Sequence, residues 1–284
     1  MPSFLHLVPN TFTILPSHPS LNNTQSRPSP QDFLRPILAD ADTFLASVPT
    51  TFRPYRRPRH SPPTTAHIHV SSRIIRDLPK EEFWVCRKSV HQNAPVNGSA
   101  SWEEFRSGLR ENHAENEMEY TPSVTGVDRL LEWTTEREVE GGWQEVEMCV
   151  NLITHTFHPT ILISPRSFIV LAISACLPIS RGEGFMTVQI PLTLEPADSA
   201  PSLVREKVIA SAPRNTIFAS YASVEQVVAI SDRVEWTMAT TSDAGGAIPQ
   251  WIQRSWTLGG VPKAIVADVG LFIDWTTQKR SQCE

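Results

Sequence analysis

Two histidines in the chain have the chemistry of a general acid or base near neutral pH. His155 ends an alternating apolar segment that is expected to face a core, and a neutral imidazole in a cavity can accept or donate a proton near pH 7. His91 shares a polar strand face with Arg87 and Ser89, and such a face either meets water or lines the polar part of a cavity. We predict catalytic roles for His155 and His91 only if the protein is an enzyme. A hydrogen-bonded core histidine is the alternative for His155.

Arg166 lies between two apolar segments, and a buried guanidinium needs a carboxylate partner. Glu225 and Glu147 are the candidate partners in the sequence. Such an ion pair would be structural, or Arg166 would anchor a carboxylate or hydroxyl group of a ligand.

The acidic segment 111–121 contains His113 and offers candidates for a general acid. Its place at the end of a predicted helix favours a solvated face or a capping network instead.

Metal and nucleotide chemistry have little support in the sequence. His67 and His69 share a strand face, and His155 and His158 are three residues apart, but no Cys, Asp or Glu with ligand spacing lies nearby. A metal site needs three or four converging ligands. There is no Walker or dinucleotide-binding glycine loop and no G-x-S-x-G nucleophile elbow. We therefore predict no metal and no cofactor.

The composition limits the class of protein. The chain has 284 residues, 40% hydrophobic and 19% charged, which is enough for a folded core. Its net charge of −5 argues against nucleic-acid binding. The 4 cysteines lie far apart without a C-x-x-C pair, which suits a reducing cytosol. No apolar stretch reaches the roughly 20 residues of a membrane span, and the N-terminus lacks the basic start of a signal peptide. We predict a cytoplasmic monomer.

Proline divides the chain into two parts. Half of the 24 prolines precede residue 66, and because proline fixes φ and removes a backbone donor, this part cannot be a regular sheet or one long helix. We predict a partly disordered, proline-rich extension over residues 1–66, with one short helix from Pro30 to Val48. The arginines of residues 53–59 offer a contact to anionic lipid or nucleic acid, although a solvated linker is the simpler interpretation. A folded domain is predicted over residues 67–284.

Strand and helix patterns follow one another in a definite order in the folded part. Strands are predicted around residues 67–75 and 84–91, and a helix begins at the Ser101–Glu104 capping box and ends near Tyr120. Segments with strand-like patterns follow at residues 125–134, 143–155, 167–177, 185–194, 217–230 and 233–241. Residues 195–215 are predicted to be a polar loop, and a long amphipathic helix runs from Pro262 to about Lys279. This order predicts an α+β fold in which a curved antiparallel sheet is covered by the terminal helix, with a cavity between them.

The segment from residue 234 to 249 is the most specific in the chain. It predicts a strand, a glycine turn with Asp243 at its corner, and the start of a helix. The corner, Asp243 to Pro249, resembles the Asp-Pro-Gly-Gly-x-Ile-Pro sequence of START (steroidogenic acute regulatory-related lipid transfer) domains, with Ala244 in place of the first proline. More closely, the chain resembles a fungal START-like family of uncharacterised domains. That similarity covers about residues 80–280 and rests on residues 87–91, 101–122, 155–171, 223–227, 234–249 and 268–275.

The resemblance implies the helix-grip fold, in which an antiparallel sheet curls around a long C-terminal helix and encloses an apolar cavity. Relatives of this kind bind sterols, phospholipids and other apolar molecules, and distant ones are cyclases. The family supplies no catalytic residue to carry over onto His91, His155 or Arg166. We expect the ligand to contact residues on the inner strand faces, namely Arg87, Met148, Arg166, Glu225, Trp236 and Met238.

Three functions remain open at this point, because one fold hosts both carriers and enzymes. The first is a carrier or auxiliary protein that binds a lipid, a sterol or a terpenoid or polyketide intermediate and contacts membranes transiently. The second is a cyclase-type enzyme of fungal secondary metabolism that uses cavity histidines or carboxyl groups. The third is a scaffold with a filled core. Whether the protein is an enzyme stays open.

Overall fold

A computed structural model describes residues 4–21, 26–76, 78, 80–157, 163–196, 199–246, 248–257 and 259–283. Six α-helices lie within these ranges: α1 (Pro30–Thr51), α2 (Trp102–Leu109), α3 (His113–Tyr120), α4 (Ser202–Ser211), α5 (Gln250–Gln253) and α6 (Val261–Cys283). The strands of the same ranges are β1 (Asn10–Thr11), β2 (Arg53–Pro54), β3 (Ile68–Ile75), β4 (Glu82–Gln92), β5 (Val124–Glu132), β6 (Glu136–Val139), β7 (Trp143–His155), β8 (Arg166–Cys176), β9 (Gly184–Thr193), β10 (Ile217–Phe218), β11 (Ser220–Ile230) and β12 (Arg233–Asp243).

These strands form one curved sheet whose long strands are all antiparallel. The order across the sheet is β2-β3-β4-β12-β11-β9-β8-β7-β5, while β1, β10 and β6 pair with β9, β8 and β7. The concave face packs against α2 and α6 through an aromatic and aliphatic core that includes Phe105, Trp236 and Phe272. The predicted α+β helix-grip architecture, with a curved antiparallel sheet around the C-terminal helix, is confirmed.

The N-terminal segment covers the opposite face of the sheet. α1 begins where predicted, with Ser29 accepting a hydrogen bond from the Asp32 backbone N–H. Its buried stripe and the earlier residues Phe12 and Leu15 join the larger hydrophobic core beneath β7, β8 and β9. The division of the chain at residue 66 stays a prediction, but the apolar side chains on both sides of it share this core.

The segment before β3 also contacts α6. The backbone N–H of Gly270 donates to Ser61 Oγ at 3.1 Å, and a Cβ at position 270 would lie 2.6 Å from the Pro62 carbonyl oxygen. Only glycine permits this close approach, so residues 61–62 hold the terminal helix against the sheet.

Two local predictions about helices are wrong. The helix that begins at the Ser101 capping box does not continue to Tyr120, because Asn112 adopts a left-handed conformation (φ 48°) and α3 starts afresh at His113. The predicted polar loop at residues 195–215 contains α4, whose Val204 and Val208 are buried one turn apart. No helix in the described part of the chain is long and apolar enough to cross a bilayer.

Candidate functional site

A cavity of about 480 Å³ lies between the concave face of the sheet and the helices α3, α5 and α6. It exists because α6 covers only part of the curved sheet, while the aromatic core fills the rest. Apolar lining comes from Phe157, Ile163, Phe168, Trp236, Met238, Ile248, Ile252, Val261 and Ile265. Polar side chains also reach the cavity, among them Arg87, Glu225, His155 and Arg166. We call the sheet surface around Arg87 and Glu225 the floor of the cavity.

The floor carries a buried ion pair between Arg87 and Glu225. Both residues sit on strands that flank β12, where Met238 pairs with Arg87 on one side and with Glu225 on the other. Arg87 Nη2 lies 3.3 Å from Glu225 Oε1, and their side chains are 1% and 7% exposed. Trp236 Nε1 donates to the same carboxylate at 2.6 Å, and the guanidinium lies 3.8 Å from the centre of the Trp236 ring. The pair is thus fixed in place by three contacts.

Two further carboxyl groups, those of Glu117 on α3 and Asp268 on α6, face the same cavity. Burial raises the pKa of Asp268 to about 7, with Glu117 and Glu225 adding to the effect and Arg87 opposing it. Burial also raises the pKa of Glu117, and His113 opposes that shift. Part of the Glu117 side chain remains accessible. Near neutral pH the Asp268 carboxyl group carries a proton in part of the molecules and can then donate a hydrogen bond to a ligand.

His155 lines the cavity, as the sequence analysis expects of a residue that ends β7. Its Nδ1 lies 3.1 Å from Ser123 Oγ, and its ring packs edge-on against Phe168. Burial lowers the pKa of His155 to about 4. The imidazole is therefore neutral at pH 7 and can exchange a hydrogen bond with a ligand. Its catalytic role stays a prediction.

His91 lies away from the cavity lining. Its Nε2 is 2.8 Å from Ser89 Oγ, and its ring packs against Phe105 and Trp236. Burial, with a smaller effect of Arg87, lowers the pKa of His91 to about 4. This is the environment of a neutral core histidine, and nothing in it brings His91 to a ligand.

Arg166 lines the cavity at its far end, but the predicted carboxylate partner is wrong. Its guanidinium donates to the backbone carbonyls of Ala244 and Ser164. Glu225 is used by Arg87, and Glu147 lies 3.8 Å from Arg110. Arg166 is the first residue of β8, whereas Glu225 sits in the middle of β11, so the sheet keeps them apart. Two backbone carbonyls, Ala244 in the corner and Ser164 just before β8, satisfy the buried cation instead.

Met148 lies on the wrong side of the sheet to contact a ligand in this cavity. The alternation along β7 sends Val146, Met148 and Val150 into the core that the N-terminal segment covers. Contact of Met148 with a ligand stays a prediction that this cavity does not support, because both faces of β7 are buried at this point and the sequence pattern does not say which face is concave. Of the six predicted ligand contacts, the other five line the cavity: Arg87, Arg166, Glu225, Trp236 and Met238.

The corner after β12 has the conformation that its sequence predicts. Asp243 Oδ1 accepts a hydrogen bond from the Gly245 N–H at 3.0 Å, and Gly245 and Gly246 both have a φ of 62°. Asp243 also pairs with Lys80. The corner is architectural, and it supplies the carbonyl that holds Arg166.

The sequence analysis missed Tyr221 and Asp268, and it covered Glu117 and Tyr120 only as members of the acidic segment 111–121; all four line the cavity. One signal was present for Asp268, because it interrupts the apolar stripe of α6 next to Ile265 and Val269. Glu117 carried no such signal in an acidic segment. For a metal, the described residues contain no group of three or more histidine, cysteine or acidic side chains placed to hold an ion. His158 lies outside the described residues.

Comparisons with solved structures support the fold. Human STARD10 has a TM-score of 0.58 at 11% sequence identity, covering 91% of this chain and 86% of that chain. A STAR-related lipid transfer protein fragment from Xanthomonas axonopodis has a TM-score of 0.47 at 13% identity, covering 77% and 98%. The lipid transfer and protein localization domain of human StarD13 has a TM-score of 0.46 at 14% identity, covering 84% and 96%. The similarity to START domains predicted from the sequence is thus confirmed at the level of the fold.

A search of curated proteins finds no significant match. A sequence profile described as "Protein of unknown function (DUF3074)" matches residues 84–276. This range runs from β4 to α6 and contains the cavity floor, the carboxyl groups of Glu117 and Asp268, and the Asp243 corner. The chain is therefore a member of the DUF3074 family.

Proposed function

We propose that the protein binds an apolar small molecule in the cavity beneath α6 and acts as a carrier or auxiliary protein. The observation that carries the proposal is the cavity itself, with about 480 Å³ of space and walls of aromatic and aliphatic side chains. Transfer of apolar surface from water contributes roughly 25 cal/mol per Å². A few polar groups at one place then fix the orientation of the ligand.

The polar groups of the floor suit one oxygen- or nitrogen-bearing end of an otherwise apolar ligand. The ion pair of Arg87 and Glu225 offers both a donor and an acceptor. Asp268 and Glu117 accept or donate according to their protonation. Trp236 and Met238 provide the apolar surface beside them.

Filling the cavity is expected to abolish binding of an apolar probe. Met238→Trp places an indole in the cavity, and the affinity for N-phenyl-1-naphthylamine, measured by its fluorescence enhancement, should fall at least about tenfold, equivalent to about 1.4 kcal/mol. Thr237→Trp is the matched control, because Thr237 is the neighbour of Met238 on β12 and lines a separate groove on the other side of the sheet. Equal affinities in the two variants, or a loss confined to Thr237→Trp, would place the probe elsewhere. Thermal unfolding checks that both variants fold.

A transient contact with membranes fits the surroundings of the cavity. Trp251 is 65% exposed on α5, next to the lining residue Ile252, and Phe157 is 39% exposed. Tryptophan favours the membrane interface because its ring is both apolar and polar. We expect Trp251→Ala to reduce co-sedimentation with neutral phosphatidylcholine vesicles roughly tenfold, if most of the indole is buried there. Ile209→Ala, which removes a 77% exposed side chain on α4, is the control. Equal losses in both variants would argue against a specific contact.

A cyclase-type enzyme is the second candidate, and one observation favours it. Asp268 and Glu117 have raised pKa values inside a cavity that also contains the neutral His155, an arrangement that can transfer protons to and from a bound molecule. A carrier releases its bound compound unchanged, whereas an enzyme releases a product. Mass spectrometry of compounds extracted from the protein purified from its native host separates the two.

We further propose that the protein is a monomer of fungal origin, lies in the cytoplasm and has a role in secondary metabolism.

A further inference from the structure

A second, smaller compartment of about 240 Å³ adjoins the cavity. We call it the polar compartment. Its floor is formed by β7, β8 and β9, and the corner between α2 and α3 lies over it, with β5 at the side. His113 and Gln189 line both spaces, so they form the boundary between them. The volume is far above the roughly 10–15 Å³ that one water molecule needs.

The charged side chains of the polar compartment are paired with one another. Arg110 lies 3.3 Å from a carboxylate oxygen of Glu145, and Arg129 lies 2.7 Å from Glu115 and 2.8 Å from Glu132. A charged ligand would have to compete with these ion pairs. The compartment is therefore unsuited to a phosphate, a carboxylate or an ammonium group.

Three neutral polar atoms of the compartment, by contrast, lack hydrogen-bond partners among the described residues. Thr187 Oγ1, Ser174 Oγ and Asn151 Oδ1 are buried atoms with no hydrogen-bond partner among the described residues. Thr187 and Asn151 are each only 3% exposed, and all three line the compartment. Buried hydroxyl and amide groups normally have partners, and leaving them without one is unfavourable. Two hydroxyls and an amide are the groups that recognise hydroxyls of a ligand.

The sheet connects these groups to the floor of the main cavity. Ser174 pairs with Thr187 across β8 and β9, and Thr187 pairs with Glu225 across β9 and β11. Glu225 then pairs with Met238, and Met238 with Arg87. One cross-strand row on the concave face therefore runs from the polar compartment to the ion pair. A single ligand can lie along this row.

We propose that the polar compartment holds a neutral, polyhydroxylated head group of the ligand, such as a sugar, while the apolar body of the ligand occupies the main cavity. This inference rests on the proposed function, because it concerns the other end of the same ligand. Ligand hydroxyls both donate and accept hydrogen bonds, so they can satisfy Thr187, Ser174 and Asn151 together. The carboxylates of Glu115, Glu132 and Glu147 around the compartment disfavour an anionic head group.

Two competitors with the same chain test the inference. n-Octyl β-D-glucopyranoside, below its micelle concentration, and 1-octanol are each titrated against protein loaded with N-phenyl-1-naphthylamine. The glucoside is expected to displace the probe with at least tenfold higher affinity than the alcohol. Since a site built for hydroxyls loses affinity when its own partner is removed, Thr187→Val should reduce the affinity for the glucoside about tenfold and leave that for octanol unchanged.

Thr276→Val is the matched control, because Thr276 is a buried threonine outside both spaces and its hydroxyl already donates to the Ile273 carbonyl. Ser174→Ala repeats the test in case Thr187→Val folds poorly. Equal affinities of the glucoside and octanol for the unmodified protein would overturn the inference while leaving the proposed function intact, as would a glucoside affinity unchanged by both variants. If neither compound displaces the probe, both the inference and the proposed function are overturned.

Discussion

Replacing Arg87 with methionine is expected to lower the free energy of unfolding by about 3–5 kcal/mol at pH 7.5. The substitution removes the cation and leaves the Glu225 carboxylate buried, with Trp236 Nε1 as its remaining donor among the contacts described above. It also removes the stacking of the guanidinium on the Trp236 ring. Urea denaturation followed by far-ultraviolet circular dichroism measures the change.

Lys88→Met is the control for this experiment. Lys88 follows Arg87 on β4, points to the opposite face and pairs with Glu235 at 2.6 Å, but it is 49% exposed. Exposed pairs contribute only about 0–1 kcal/mol. The double variant Arg87→Met/Glu225→Gln should recover part of the lost stability, because the unpaired charge is then gone. If Arg87→Met costs no more than Lys88→Met, the pair does not hold the floor of the cavity.

The large loss of stability expected for Arg87→Met bears on the function of the ion pair. An ion pair that only stabilised the fold could be replaced by apolar residues of similar volume with little loss. This pair instead stands in the lining of a cavity, and Arg87 Nε and Nη1 have no hydrogen-bond partner among the described residues. Such a fixed polar group on the floor of the cavity can orient an otherwise apolar ligand.

Local sequence patterns predicted the elements that depend on neighbours along the chain. The Ser101 capping box, the start of α1 and the Asp243 corner each require only a few adjacent residues, and each has the expected geometry. The alternation along β4 also placed Arg87, Ser89 and His91 on one face, and all three are buried there. Periodicity carries this information directly.

The errors arose where distant parts of the chain decide the outcome. The sequence analysis places Met148 at the cavity, whereas its side chain joins the core on the opposite face of the sheet. The residues that cover that face belong to the N-terminal segment, more than 90 residues earlier, so the local pattern along β7 does not reveal them. Arg87 and Glu225 are 138 residues apart, so no spacing rule pairs them. Glu117 turns inward only because the helix restarts after Asn112. Such facts follow from the assembled sheet and helices.

The acidic residues at the cavity come from different layers and meet there, which explains why Glu117 and Glu225 add to the raised pKa of Asp268. Glu225 stands on the sheet, Glu117 on α3 and Asp268 on α6. Folding brings these three carboxyl groups to one cavity, and like charges in a confined space disfavour ionisation. A sequence optimised only for stability would not keep this arrangement, and stability is often lower at functional sites.

Asp268→Asn is therefore expected to stabilise the ligand-free protein at pH 8 by about 1–4 kcal/mol. The folded state holds the proton of Asp268 up to a pKa of about 7, whereas the ordinary value is 3.8. Below pH 3.8 both the folded and the unfolded states carry the proton, so the group has no effect on stability. Between pH 3.8 and 7 the unfolded state releases it first, and stability falls as the pH rises. Three pKa units correspond to about 4 kcal/mol, an upper bound because solvent in the cavity screens part of the penalty.

The asparagine variant removes this titration, so its advantage should be near zero at pH 4 and full at pH 8, measured by urea denaturation at both values. Asp274→Asn is the control, because Asp274 lies on the same helix but is exposed. Arg87, Glu117, Glu225 and Tyr120 face the same space and keep their own charges or protons, so a smaller pH dependence remains in the variant. An Asp268→Asn variant that is no more stable than the unmodified protein at pH 8 would show that the carboxyl group is not confined as the structure places it. In that case the variant should also bind a polar-ended ligand with the affinity of the unmodified protein, and the acidic side chains at the cavity would have no link to ligand binding.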